Sequence, residues 1–419
     1  LSTQLHIGLN LEFFIAKRLT ASKRDKSSIS APIIKIATIA IALGMFMMLI
    51  SVSTGVGLQQ KIRDKIAAFN GHIIISGFNG NESDVSTDPI SIHQKFYPRF
   101  KNVQGIDHVQ AVAAKAGIIR TASSFEGIIY KGVGKDYRWD VLSEYLVAGK
   151  IPSMSGAYSN EVLISEFLAN RLQLKVGSKF NTFFFAQGQN KLPKARRFVV
   201  SGIYNSGVKE FDSAYLIGDI RQVQRINHWR PDEVGAFEVF VSDFDQIAQK
   251  GEEVYDETSS TLNSETITEK YYYIFDWLTL FDANILIILI VMIVVSTINM
   301  VVALLVLILE RTQMIGILKS MGANNWSIRK IFLYNAFHLI VRGLLWGNGV
   351  ALLLLSIQKF FGVIHLNPES YYVTVAPVAI NPLHILALNV GTILICLIVL
   401  LLPSYIITRI VPSKTIRFD

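Results

Sequence analysis

Apolar and polar positions along the chain separate into four long apolar runs and one long mixed stretch. The runs cover about 33–56, 282–309, 331–357 and 383–408. About 20 apolar residues in a helix span the ~30 Å hydrocarbon core of a bilayer, so each run predicts a transmembrane helix. A buried helix in a water-soluble core explains one such run, not four. Lys35 lies near the start of the first run and Arg342 interrupts the third. Ala283–Leu309 and Leu383–Ile407 hold no Asp, Glu, Lys or Arg.

The stretch 57–281 follows a different pattern. His72–Ser76, Gly127–Gly132, Glu161–Ser165, Lys179–Phe185, Arg196–Tyr204, Ala214–Ile217 and Ala236–Val241 are β-branched or aromatic and end at Gly, Asn or Ser. They predict strands. Glu166–Leu174, Asp219–Trp229 and Phe244–Leu262 predict helices, with Asp219 and Asp243 suited to N-cap positions. Gln59–Phe69 predicts a helical stalk continuing span one. The aromatic Tyr271–Phe281 predicts a second stalk leading into span two at headgroup level. The predicted fold is an α-helical membrane protein with four transmembrane helices plus a large mixed α+β extracytoplasmic domain.

Charge sets the orientation. Only 17% of the 419 residues are charged, against roughly a quarter in soluble domains. Between Leu58 and Asp276 there are 25 Lys+Arg and 26 Asp+Glu, so the formal charge of +8 sits elsewhere. No basic face for nucleic acid is concentrated in the large domain. The excess lies in short flanks: Lys17, Arg18, Lys23, Arg24 and Lys26 before span one, then Arg311, Lys319, Arg329 and Lys330 between spans two and three. Arg409, Lys414 and Arg417 follow span four, while the link between spans three and four has only Lys359. The positive-inside rule then puts segment 1–32, link 310–330 and tail 409–419 in the cytoplasm. Domain 57–281 and loop 358–382 lie outside. Asn10–Arg18 reads as an amphipathic helix on the inner leaflet. The first run is too long, and too far from the N-terminus, for a cleaved signal peptide. The lone Cys396 excludes a disulfide framework.

Enzymatic motifs are missing from the sequence. Gly132-Val-Gly134-Lys135-Asp136 lacks the spacing and the hydroxyl of a phosphate loop and reads as a turn. The eight His are scattered, with none at i,i+3 or i,i+4 from another, so no helical metal site is predicted. Asp232-Glu233 and Glu252-Glu253 read as a solvated loop and helix face. Arg342 stands about 12 residues, roughly 18 Å, into span three, where a charge usually faces protein or water. It either lines a polar seam or meets a ligand's charged group, or else belongs to a structural pair or to a span that starts later than residue 331. Asn299 predicts a helix–helix hydrogen bond in span two. In the link, Met314, Ile317, Leu318 and Met321 form an apolar stripe on a short helix that Gly322 can end. Such a stripe buries in lipid or in a partner's groove.

Several of these segments carry a resemblance. Glu310-Arg311…Ile315-Gly316-Ile317-Leu318-Lys319…Gly322, followed by Ile328…Ile331-Phe332, resembles the hallmark of FtsX-like permeases of ABC transporters. Ile15-Ala16-Lys17-Arg18, Gly71-His72-Ile73, Phe198–Gly207 with Glu210-Phe211-Asp212, Asp276-Trp277-Leu278 and Pro412–Asp419 are similar to the lipoprotein-releasing LolC/LolE branch. The chain departs from that pattern at Ala336-Phe337. Its glycines Gly343, Gly347 and Gly349 come later in span three.

The resemblance implies a MacB-type periplasmic core for the outer domain, in the bacterial inner membrane. It implies pairing with a second permease chain, the same or homologous, and with a dimer of a separate cytoplasmic ABC ATPase. That ATPase would bind ATP and Mg; no cofactor is expected on this chain, and it is not itself an enzyme. Glu310, Arg311, Met314, Ile317, Leu318, Lys319, Met321 and Gly322 would couple to the ATPase. Lipoprotein acyl chains would pass from the outer leaflet of the inner membrane into a cavity between the permeases, then to a periplasmic lipoprotein carrier. Phe46, Met47, Met48, Ile50 and Arg342 are the cavity candidates; ordinary lipid- or protein-facing roles are the alternative for each. Two competing readings are a mechanotransmission subunit like FtsX or MacB, which regulates a periplasmic partner without cargo extraction, and a membrane adaptor without an ATPase.

Overall fold

The structure is a computed structural model that describes residues 12, 14–15, 30–78, 88–121, 124–154, 156, 158–185 and 192–410. Its contacts divide the chain into two compact units. One comprises Leu1–Leu58, Leu278–Ile364 and Ala376–Asp419; the other comprises Gln59–Trp277 and His365–Val375. The helix expected over Asn10–Arg18 falls largely outside the described residues, and the tail motif Pro412–Asp419 falls wholly outside them.

The first unit is helical. Ser30–Asn70, Tyr272–Glu310, Asn325–Phe361 and Pro382–Ser404 are its long helices, and all four are long and apolar enough to cross a membrane. The chain is a four-span membrane protein with a large α/β domain. Segments 33–56, 282–309 and 331–357 lie within the first three helices. Segment 383–408 runs past Ser404 into the short helix Ile406–Arg409. The first helix does not stop at residue 56; Gln59–Phe69 extends it without a break to Asn70. Asn324 and Asn381 cap the third and fourth helices, each accepting from the N–H two residues on. Such caps satisfy donors that a helix start leaves open.

Ile41, Met45 and Met48 of span one pack with Met300, Leu304 and Ile308 of span two. Phe332, Ala336, Ile340 and Leu344 of span three and Cys396 and Leu400 of span four complete this core. Small residues let helices approach in a membrane, and Gly343 and Gly347 do so here. A Cβ on Gly347 would stand 2.5 Å from the Ala42 carbonyl, and one on Gly343 2.8 Å from Ile41 Cβ. The late position of these glycines is therefore the place where span three meets span one. Asn348 and Asn389 join spans three and four by reciprocal amide bonds of 2.8 and 3.2 Å. Asn299 does not make the expected helix–helix bond; its amide donates to Val295 O of its own helix at 2.9 Å.

Among the described residues the second unit holds twelve strands: β1 (Ile73–Gly77), β2 (Ile90–Ser91), β3 (Ile106–Arg120), β4 (Phe125–Val133), β5 (Leu146–Gly149), β6 (Glu161–Ser165), β7 (Lys179–Phe184), β8 (Lys194–Tyr204), β9 (Tyr215–Asp219), β10 (Glu233–Val234), β11 (Ala236–Val241) and β12 (Leu262–Thr266). Ten build one sheet in the order β12-β1-β11-β3-β4-β9-β6-β8-β5, with β7 against β3 and β8; β2 pairs with β10. β4–β9 and β6–β8 are parallel pairs.

Alternation decides which sheet face is buried. Ile73 and Ile75 of β1, Phe237 and Val239 of β11, and Ile128 and Tyr130 of β4 point into one core. Leu168, Ile220, Val223 and Val254, from helices Glu166–Arg171, Ile220–Asn227 and Ile247–Glu257, cover it. Asp219 caps the second of these helices through the Arg221 N–H, as its position predicted. Asp243 caps a short 3-10 turn, Phe244–Gln246. The helix expected over Phe244–Leu262 ends at Glu257, and the chain turns at Ser259 to place Leu262–Thr266 beside β1.

Candidate functional site

Within link 310–330, where residues 325–330 already belong to helix Asn325–Phe361, helix Thr312–Ser320 lies between two turns. Its burial divides the predicted stripe. Ile315 and Gly316 are the buried positions, and Met314 and Leu318 lie half-buried against the core formed by Ile308, Ile328, Phe332 and Ile407. Ile317 is 46% exposed and Met321 78%. One face thus seats the helix on the span bundle while the other leaves two large apolar side chains outside. Trp326, in the first turn of span three, adds a third at 47%. Met321 closes the helix through its N–H to Ile317 O, and Gly322 follows at φ +90, the left-handed step that glycine tolerates.

The cations of this region serve two purposes. Lys319 points inward: its ammonium donates to the carbonyls of Ile407 (2.7 Å) and Ile410 (2.8 Å). Burial lowers its affinity for the proton. Arg329 donates from Nε to Ser404 Oγ and from Nη2 to Leu401 O, both at 3.0 Å. Both side chains supply the open carbonyls and negative dipole end of span four with positive charge. Glu310 is exposed at the end of span two, and Arg311 is the half-buried first residue of the turn. Of the eight expected coupling residues, Ile317 and Met321 present apolar surface, Gly322 shapes the turn, and Lys319 is committed to its own chain.

The cavity candidates do not share one surface. Met48 is fully buried in the bundle core. Phe46 and Ile50 are half-buried against Leu49, Ala351 and Leu355. Met47 faces outward with Ile36, Ile39 and Leu43, one stripe of span one. Span two exposes Ile287, Ile290, Val294 and Ile298 in the same way. Arg342 lies exposed on span three, beside exposed Leu345 and Trp346.

The large domain holds buried charge that the sequence reading did not single out. The Lys131 ammonium bonds to the Glu238 carboxylate and to Phe69 O. Gln110 Nε2 donates to the other Glu238 oxygen at 2.8 Å. Lys131 and Glu238 line a polar cleft of about 630 Å³ together with Asn263, Glu265 and Lys270. With its polar atoms paired, the cluster reads as a structural network. The turn at Gly132–Asp136 carries no phosphate-loop geometry: Asp136 Oδ2 accepts from Ala111 N (2.7 Å) and Tyr97 Oη (3.1 Å). His108 Nε2 lies 2.6 Å from Asp136 O.

Two family matches account for most of this architecture. Residues 36–254, just over half the chain, match the MacB-like periplasmic core domain. Residues 286–412 match the FtsX-like permease C-terminal region. The chain belongs to the FtsX-like permeases with a MacB-like periplasmic core. The permease match contains the link helix, its exposed Ile317 and Met321, and spans two to four. Among curated relatives, this permease is 23% identical to the lipoprotein-releasing system transmembrane protein LolC of Xylella fastidiosa, over 98% of this chain and 99% of that protein. It is 22% identical to LolE of Haemophilus influenzae, over 97% and 99%. The periplasmic region of MacB from Actinobacillus actinomycetemcomitans superposes with a TM-score of 0.32 at 16% identity, covering 46% of this chain and 87% of that one.

Proposed function

We propose that this permease is the membrane subunit of an ABC transporter that extracts lipoproteins from the outer leaflet of the bacterial inner membrane. A separate cytoplasmic ATPase supplies the energy, and both termini and link 310–330 are cytoplasmic. The observation that carries the reading is the end-to-end similarity to lipoprotein-releasing LolC and LolE proteins. The two-faced link helix supports it. Ile317 and Met321 are the part a nucleotide-driven partner grips. Ile315 and Gly316 pass the displacement to spans two, three and four, because close-packed interiors transmit strain.

The exposed stripes of spans one and two face a second permease chain across a cavity that receives acyl chains. Each CH₂ moved out of lipid into water costs about 0.8 kcal/mol, so unshielded extraction of several chains costs tens of kcal/mol. An apolar cavity must therefore replace the lipid, with ATP biasing the exchange. A periplasmic lipoprotein carrier then accepts the cargo.

Mild-detergent purification with mass spectrometry tests the proposal. An ABC ATPase with acylated proteins is the expected company. An ATPase with a cell-wall hydrolase and no lipoprotein would favour mechanotransmission without extraction, and absence of any ATPase would overturn both.

A further inference from the structure

A groove of about 550 Å³ runs between spans three and four at the end of span three nearest the link. Leu333, Phe337, Leu397, Ile398 and Leu401 wall it, and Lys330, Tyr334 and His338 follow one another along it at i, i+4, i+8. At 1.5 Å per residue, Lys330 and His338 are about 12 Å apart along the axis. The groove is thus apolar along its length and basic at its mouth. Arg329 adds a second positive charge there while bound to Ser404 and Leu401. Among the described residues, neither Arg329 nor Lys330 is in an ion pair with a carboxylate.

We infer that this groove binds one acidic glycerophospholipid of the inner leaflet, phosphate at Lys330 and an acyl chain along Leu333, Phe337 and Ile398. The charge pattern decides the occupant. Segments 33–56, 283–309, 331–357 and 383–408 contain no Asp or Glu, so a second copy laid along the groove would bring it no carboxylate from its spans; its Glu310 lies outside them. A lipid phosphate supplies the missing charge at headgroup level, where basic pockets between spans hold anionic lipids. Tyr334, one turn deeper, has the ring-and-hydroxyl character favoured at the membrane interface.

The inference rests on the proposed cytoplasmic placement of link 310–330, and its test keeps the two apart. The full-length chain in its complex is titrated with phosphatidylglycerol or phosphatidylcholine of matched acyl chains and read by native mass spectrometry. Wild type should hold one phosphatidylglycerol about fivefold or more tighter than phosphatidylcholine, the preference expected from one lysine at the surface. Lys330→Gln should abolish the preference, and Ile398→Trp should weaken binding of both lipids by filling the groove. Lys359→Gln, at the other end of span three, should leave the preference intact. Equal binding of the two lipids by wild type, or a preference that survives Lys330→Gln with unchanged melting, overturns the site. Labelling of Ser320→Cys by an impermeant thiol reagent in intact spheroplasts would instead overturn the leaflet assignment, independently of the lipid preference.

Discussion

The Lys65 ammonium donates to the Tyr372 carbonyl at 2.8 Å and to the Ser206 carbonyl at 2.5 Å. One buried cation near the end of the first long helix therefore fastens two segments of its own unit: the turn after β8 and residues 365–375. Lys65 is 6% exposed, and desolvation lowers its pKa to about 8. Nearby Asp212 accepts from Ser206 N and Gly207 N, which holds the same turn from the other side.

Lys65→Met keeps the aliphatic stem and leaves both carbonyls without this donor. A buried polar group deprived of its partner costs about 1–3 kcal/mol. The expected result is a loss of that order, with faster hydrogen exchange at Leu366 and Tyr372, whose N–H groups bond within 365–375. Unchanged protection in that segment would show that Lys65 does not secure it.

Gly347 has no room for a methyl group, whereas Gly349 has nothing within 4 Å of its Cβ position. Overpacking costs typically about 1–3 kcal/mol, so Gly347→Ala should lower the melting temperature of the detergent-solubilised chain. Gly349→Ala should leave it equal or higher, since alanine is the better helix former. Equal behaviour of the two variants would contradict the close approach of spans one and three.

The elements legible in the sequence were those whose own residues carry the signal. Apolar length marked the spans, and β-branched or aromatic runs marked β1, β6, β8 and β11. β3 was not legible, although it pairs with β11, β4 and β7. Its Ala111, Ala113, Ala114, Ala116 and Gly117 have weak strand preference, and its partners supply the stabilisation. β12 was hidden for the same reason: the sequence pattern places Leu262 at the end of a helix, and Asn263-Ser-Glu-Thr266 shows no strand pattern without β1 beside it. In the link, periodicity showed an apolar stripe without showing which members would be seated. The sequence around Lys319 carried no sign of its inward turn, because the open carbonyls at Ile407 and Ile410 come from a segment 88 to 91 residues away. The Asn348–Asn389 pair is long-range in the same sense, whereas Asn299 is satisfied by Val295 O of its own helix.

His72 gives the large domain an acid limit. Its Nδ1 accepts from the Val241 N–H at 3.0 Å, and Phe240 and Phe244 flank the ring. Burial lowers its pKa from 6.5 to about 4. Above pH 7 the ring is neutral in both folded and unfolded chains and adds no pH dependence. Between pH 6.5 and 4 the unfolded chain binds the proton first, so stability falls as pH falls, by about 3 kcal/mol across the window. His72→Asn should remove that slope when unfolding is followed from pH 7 to 4. A slope identical to wild type would assign the acid sensitivity to other groups.

The coupling role proposed for Ile317 and Met321 can be separated from folding. Both are exposed, so Ile317→Glu with Met321→Glu should leave the melting temperature unchanged. Removing even one central apolar anchor of an interface costs about 2 kcal/mol or more in typical cases, enough to lower association with the proposed ATPase at least about thirtyfold. ATP-driven lipoprotein release from proteoliposomes should fall in parallel. Ile315→Glu provides the contrast: it buries a carboxylate beneath the helix and should destabilise the chain itself. If the double glutamate variant still co-purifies with the ATPase and releases lipoprotein at the wild-type rate, the exposed face of this helix is not where force enters.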